Sequence, residues 1–231
     1  MKIGVAGCSN SSDSWGEPWH YYMGKKYNAE IVASSSCGAG NEMNIEKVRY
    51  ILENNKPDLF VFQLTEPSRM VLGLSEDGLA KNILDRDGSL HDTNKFGEAF
   101  YYTFNGHQNN INVGNLYGTT FDIDKFLVNK SFNSKYNTDI KVFHTMMTIQ
   151  YLCNIHNVKL IFFSWFMDIN QLSKDNGFDY ITKDMYIIPG YVFDYTNQNN
   201  IQATMENNHF DTESQEKIFE NYINPYLQTL I

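Results

Sequence analysis

No apolar run in this chain of 231 residues approaches the ~20 residues that a helix needs to cross a bilayer. The sequence therefore predicts no membrane span and no membrane partner. Lys/Arg-rich runs are also missing. With 18 basic against 27 acidic residues and a formal net charge of −9, the chain lacks the electropositive footprint of a nucleic-acid binder. That acidity favours solubility. Only three cysteines occur, Cys8, Cys37 and Cys153, and a set so odd and sparse argues against a disulfide framework and fits a reducing compartment. Val5-Ala6-Gly7-Cys8 has a superficial likeness to a lipoprotein cleavage site, but the basic start and apolar segment of a signal are missing. A cytoplasmic protein is the expectation. No His/Cys/Asp spacing suits a metal, and no Gly-x-Gly-x-x-Gly or Gly-x-x-x-x-Gly-Lys motif suits a nucleotide. No metal and no cofactor is expected, and no internal repeat is visible.

What the chain does contain is 42% hydrophobic residues in periodic segments, enough for one sizeable core. Lys2 to Ala6 reads as a buried strand broken by Gly7. Glu30 to Ser34 and Leu59 to Leu64 read as a second and a third, the latter apolar except for Gln63. Lys159 to Phe166 reads as a fourth, and Met185 to Ile188 as a weaker fifth. Helices fall between them: after Pro18 to Tyr27, from a cap at Asn41 through Ile45, Val48 and Leu52, and along Val142, Met146, Ile149 and Cys153. A last one follows the capping box Thr212-x-x-Gln215, with Pro225 kinking or ending it. Residues 66 to 137, rich in Asn, Gly, Tyr and Phe, break this rhythm and read as an insertion holding a hairpin and short helices, with turn pairs at Asp77-Gly78 and Asn105-Gly106. Strands apolar on both faces that alternate with helices predict a parallel sheet covered on both sides, a three-layer α/β/α domain of about five strands.

Ligands of such sheets sit beyond the carboxyl ends of the strands. That rule brings the Ser9 loop, the Cys37–Asn41 loop, the Thr65 turn and the His209 loop to one rim. Gly7-Cys8-Ser9 presents a hydroxyl at the tip of the first strand; the same residues also suit a polar turn or a phosphate nest. Glu206 stands three residues before His209 and can bend back to accept Nδ1–H, leaving Nε2 as a base. His209 also suits a helix-capping role. Gly38, after strand two, offers an N–H at a helix start for developing negative charge. Thr65 can donate its hydroxyl to the same oxygen. Asn41, Trp15 and His20 are candidate substrate contacts. Trp15, Trp19 and the insertion could offer stacking faces to a sugar, although aromatic-rich insertions also form satellite cores.

The order of these residues resembles the SGNH (GDSL-type) hydrolases, and the resemblance covers the chain outside 66–137. It implies a single flavodoxin-like domain over 1–231, with 66–137 inserted after strand three. It also implies an ester hydrolase in which Ser9 is the nucleophile, His209 the base and Glu206 the residue that orients it. The Ser9 and Gly38 N–H groups form part of the oxyanion hole. Cys8 stands where the family has aspartate. Gln63-Leu64-Thr65-Glu66 stands for its Gly-x-Asn-Asp block, so Thr65 replaces an asparagine donor. The substrate expected is a small-molecule or carbohydrate ester, with O-acetyl groups on sugars as the finer expectation. The alternative is a catalytically silent binding or structural module on the same scaffold.

Overall fold

The computed structural model describes residues 1–11, 16–35, 40–65, 69–74, 94–96, 99–105, 135–203 and 209–231. At residues 9, 42–43, 69–74, 94–96, 99–105 and 135–138 it describes the backbone. Five strands form the main sheet: β1 (Lys2–Gly7), β2 (Glu30–Ser35), β3 (Leu59–Leu64), β7 (Lys159–Ser164) and β8 (Tyr186–Ile187). Their order is β2-β1-β3-β7-β8 and every pairing is parallel. This is the flavodoxin-like order, in which β1 is flanked by β2 and β3 and the rim opens above the carboxyl ends of all three. A second sheet, β4 (Arg69–Leu74), β5 (Asn94–Phe96) and β6 (Ala99–Asn105), is antiparallel in the order β4-β6-β5. The expected hairpin is therefore part of three strands. The turn pair Asp77-Gly78 and the short helices expected in the insertion lie outside the described residues, and Asn105 closes β6.

Strand alternation divides the core into two layers. Ile3, Val5, Val61, Ile161 and Phe163 face one side, against Trp19 and Met23 of α1 (Trp19–Tyr27) and against Ile218, Phe219, Ile223 and Leu227 near the carboxyl end. Ala6, Phe60, Phe62, Leu160 and Phe162 face the other. There they meet Val48, Ile51 and Leu52 of α2 (Asn41–Asn55) and Val142, Met146, Ile149 and Cys153 of α3 (Lys135–Ile155). Both faces of β1, β3 and β7 are thus dry, which is why these three strands read as nearly unbroken apolar runs.

Helix ends follow local chemistry, with two corrections to the sequence reading. Asn41 is not the cap of α2; Gly40 is, and Asn41 begins the helix with its amide turned to Thr65. Helix α7 (Thr212–Ile218) is capped by Asp211, whose Oδ1 accepts from the Ser214 N–H at 2.8 Å. Thr212-x-x-Gln215 is therefore one residue too late for a capping box, and both side chains reach the loop after β1 instead. Beyond α7 the chain widens into a π-helical turn, Phe219–Ile223, before the short helix Asn224–Leu227 with Pro225 near its start. Proline has no N–H to return to the preceding turn and its ring crowds that carbonyl, so the regular ladder stops there. Between β7 and α7 lie α4 (Ile169–Asn176), α5 (Asp179–Thr182) and α6 (Val192–Gln198). Asp168 caps α4 by accepting from the Asn170 and Gln171 N–H groups. Among the described residues no helix is long and apolar enough to cross a membrane.

Burial also sets an alkaline limit on stability. The Cys153 thiol, enclosed among apolar side chains, is pushed up from its ordinary 9.0 to about 12, and burial raises Tyr222 above 10.0. Both hold their proton more tightly folded than unfolded. Their contribution is intact below the unfolded values and lost as pH rises through the folded ones. The midpoint of urea unfolding is expected to stay level up to about pH 9 and to fall from there towards pH 12. In Cys153→Ala the onset should move up towards pH 10. A level midpoint across that window in the parent protein would contradict the enclosure of both groups.

Candidate active site

At the rim, β1 ends in Gly7 and turns at once into a 3-10 turn, Ser9–Ser11, closed by Ser11 N–H to the Cys8 carbonyl at 2.9 Å. A side chain from the neighbouring strand stitches this turn. Gln63 of β3, fully buried, accepts at Oε1 from the Cys8 N–H (3.0 Å) and the Ser11 hydroxyl (2.8 Å). Its Nε2 donates to Cys8 Sγ (3.2 Å) and the Leu64 carbonyl (3.1 Å). Ser11 in turn accepts from Trp19 Nε1 at 2.8 Å, and its carbonyl lies 2.9 Å from His20 Nε2. Trp19 is 0% exposed and packs edge-on against Phe163. It is therefore a core residue and a hydrogen-bond donor, not the stacking face expected for a sugar. His20 is half-buried in the same network.

The Thr65 turn follows β3. Thr65 N–H donates to Asn41 Oδ1 at 2.9 Å, and Asn41 Nδ2 donates to the Thr65 carbonyl at 3.1 Å. Asn41, expected as a substrate contact, spends its amide in pinning this turn. The Thr65 hydroxyl is enclosed and has no hydrogen-bond partner among the described residues. Helix α2 presents polar side chains here, with Asn41, Asn44 and Lys47 buried beside its apolar series Ile45, Val48 and Leu52.

The carboxyl-terminal helices come to the same place. Gln215 Nε2 of α7 donates to the Asn10 carbonyl at 3.3 Å, across 205 positions of sequence. Glu17 N–H reaches Thr212 Oγ1 at 3.4 Å, and Tyr22 Oη reaches the Thr212 carbonyl at 3.2 Å. The opening turn and the start of the closing helix are thus bonded together. His209 lies two residues before the Asp211 cap, half-buried, with both ring nitrogens shielded from solvent. Phe210, beside it, is buried and stacked on Trp165 just beyond β7, with ring centroids 5.5 Å apart. Glu206, Gly38 and Trp15 lie outside the described residues, as does the side chain of Ser9. Among the described residues, no group of three or more His, Cys, Asp or Glu side chains could hold a metal ion.

Solved structures with the same architecture run the length of the chain. TesA aligns over 100% of both chains at 12% identity, with a TM-score of 0.54. The chain has the SGNH hydrolase fold. Two further structures share that fold with it. The psychrotrophic esterase EstA of Pseudoalteromonas sp. aligns over 98% of both chains at 12% identity and a TM-score of 0.51. A GDSL-like lipase of Bacteroides thetaiotaomicron covers 100% of this chain and 89% of its own at 11% identity, with a TM-score of 0.50. No family model matches the sequence, and no curated protein matches it. Identity this low makes the likeness one of fold. Gln63 and Ser11 were missed as site residues in the sequence, although a lone glutamine in an otherwise apolar strand was the signal: a buried amide must be bonded to something.

Proposed function

We propose that the protein is a serine ester hydrolase in which Ser9 attacks the carbonyl and His209 acts as base, oriented by Glu206. The observation that carries this reading is the bonding of the Ser9–Ser11 turn to the start of the His209-bearing segment, through Gln215 and Asn10. The SGNH fold adds support, since three of its solved examples are TesA, an esterase and a GDSL-like lipase. In the first half-reaction, His209 Nε2 takes the Ser9 proton as Oγ bonds to the ester carbonyl carbon. The carbonyl oxygen becomes an oxyanion received by the Ser9 and Gly38 N–H groups and the Thr65 hydroxyl. An enclosed hydroxyl with no other bond among the described residues suits that last role. The alcohol departs with the proton from His209. Water then attacks the acyl-enzyme with the same base, releasing the acid and restoring Ser9.

For the substrate, the reading extends to O-acetyl groups on carbohydrate. A cavity of about 440 Å³ opens beside Phe210 and includes Phe193, Thr196, Asn197, Asn200 and Gln202 in its lining. Neutral amides beside aromatic rings match a hydroxyl-rich, uncharged group better than a long acyl chain. Incubation with a fluorophosphonate should place one phosphonyl adduct on Ser9, located by peptide mass spectrometry. Acetylated sugars should be turned over faster than esters of long acyl chains. An unlabelled Ser9 would point to a catalytically silent module. A preference for long chains would remove the carbohydrate reading and leave the esterase.

A further inference from the structure

We propose that Gln63 is the positioning residue of the nucleophile turn, holding Cys8 and Ser11 so that Ser9 between them is aimed for attack; this rests on the hydrolase reading above. Among the described residues, three of the four hydrogen bonds of its side chain end on Cys8 or Ser11, and the fourth on Leu64 beside it. The turn is thus gripped on both sides of Ser9 by one amide anchored in the central part of the sheet, where β3 lies between β1 and β7.

Gly7 supplies an independent observation. A Cβ at that position would lie 2.4 Å from Gln63 Oε1 and 2.9 Å from Ser11 Oγ. Only a residue without a side chain lets the amide come this close to the end of β1, so Gly7 and Gln63 form one device. Ser11 extends it, donating to Gln63 and accepting from Trp19 Nε1, which ties the turn to the core.

The chemistry requires an amide. A leucine at 63 would leave the Cys8 N–H and the Ser11 hydroxyl without their acceptor. A carboxylate would keep both acceptor contacts and lose the two donor contacts. Displacing a reacting atom by ~1 Å costs on the order of 10²-fold in rate, so loosening the grip should reach catalysis before it reaches the fold.

The test uses the full chain with Gln63→Leu, Gln63→Glu and Gly7→Ala. Three readouts are compared: the rate of Ser9 phosphonylation, kcat and KM for an aryl acetate, and the thermal midpoint. Gln63→Leu and Gly7→Ala should each slow phosphonylation and lower kcat by ~10–10²-fold, with KM within about twofold. Their double variant should be no worse than the poorer single, because both break one contact. Gln63→Glu, which keeps the acceptor contacts but sets a carboxylate oxygen against the Leu64 carbonyl and the Cys8 sulfur, should recover only part of the loss. If the parent is labelled and the folded variants are labelled equally fast, Gln63 is a structural residue and the inference falls alone. If the parent is not labelled at Ser9, the hydrolase reading falls, and this inference with it. Should Gln63→Leu fail to fold, Gly7→Ala and Gln63→Glu decide the matter by the same rates.

Discussion

Replacement of His209 by alanine is expected to lower aryl-ester hydrolysis by ~10²–10⁴-fold, the usual worth of a positioned general base, while the thermal midpoint hardly moves. The second half of that expectation follows from how the segment is held. Helix α7 is capped by Asp211, and the loop is anchored by Phe210 against Trp165. Both supports survive removal of the imidazole. Ser9→Ala should lose at least as much activity, and the double variant should be no slower than Ser9→Ala, since nucleophile and base act as a unit. Activity that survives in His209→Ala at the parent level would assign the base elsewhere. A collapsed midpoint would mean that the ring mainly supports the loop.

The largest expected loss of stability is at Trp19. Its indole is fully buried, lies edge-on to Phe163 with centroids 5.1 Å apart, and donates to Ser11 at 2.8 Å. Trp19→Ala should cost ~3–5 kcal/mol in urea unfolding, the range for emptying an aromatic site in a packed core. Trp19→Phe keeps most of the volume and loses the Nε1 donor; it should cost about 1–3 kcal/mol by stranding a buried partner. A loss below about 1 kcal/mol in the alanine variant would show that the cavity closes and that Trp19 is not a keystone of this face.

The main sheet was legible because burial on both faces writes itself as uninterrupted apolar runs: Leu59–Leu64 and Lys159–Ser164 lie where the sequence puts strands. The face of α3 was legible for a related reason, since Val142, Met146, Ile149 and Cys153 repeat at helical spacing and are all buried. Caps were less so. Thr212 and Asp211 are both good cap residues, and the choice between them was made by the distant loop that Thr212 and Gln215 bond. Asn41 was read as a cap for the same reason of local chemistry, while its real partner, Thr65, lies 24 positions away. Trp19 shows the converse limit: composition offers an aromatic ring but not the direction in which it points. The grip of Gln63 on Cys8 and Ser11 spans more than fifty positions, and no local pattern encodes such a pairing.

The order of elements along the chain has a consequence for synthesis. All five strands of the main sheet lie between Lys2 and Ile187, and His209 follows them. On a ribosome, therefore, the whole sheet can emerge and begin to pack while its imidazole is still in the exit tunnel. On the hydrolase reading, the nascent polypeptide stays inert towards esters throughout that interval, and the docking of the late helix switches it on.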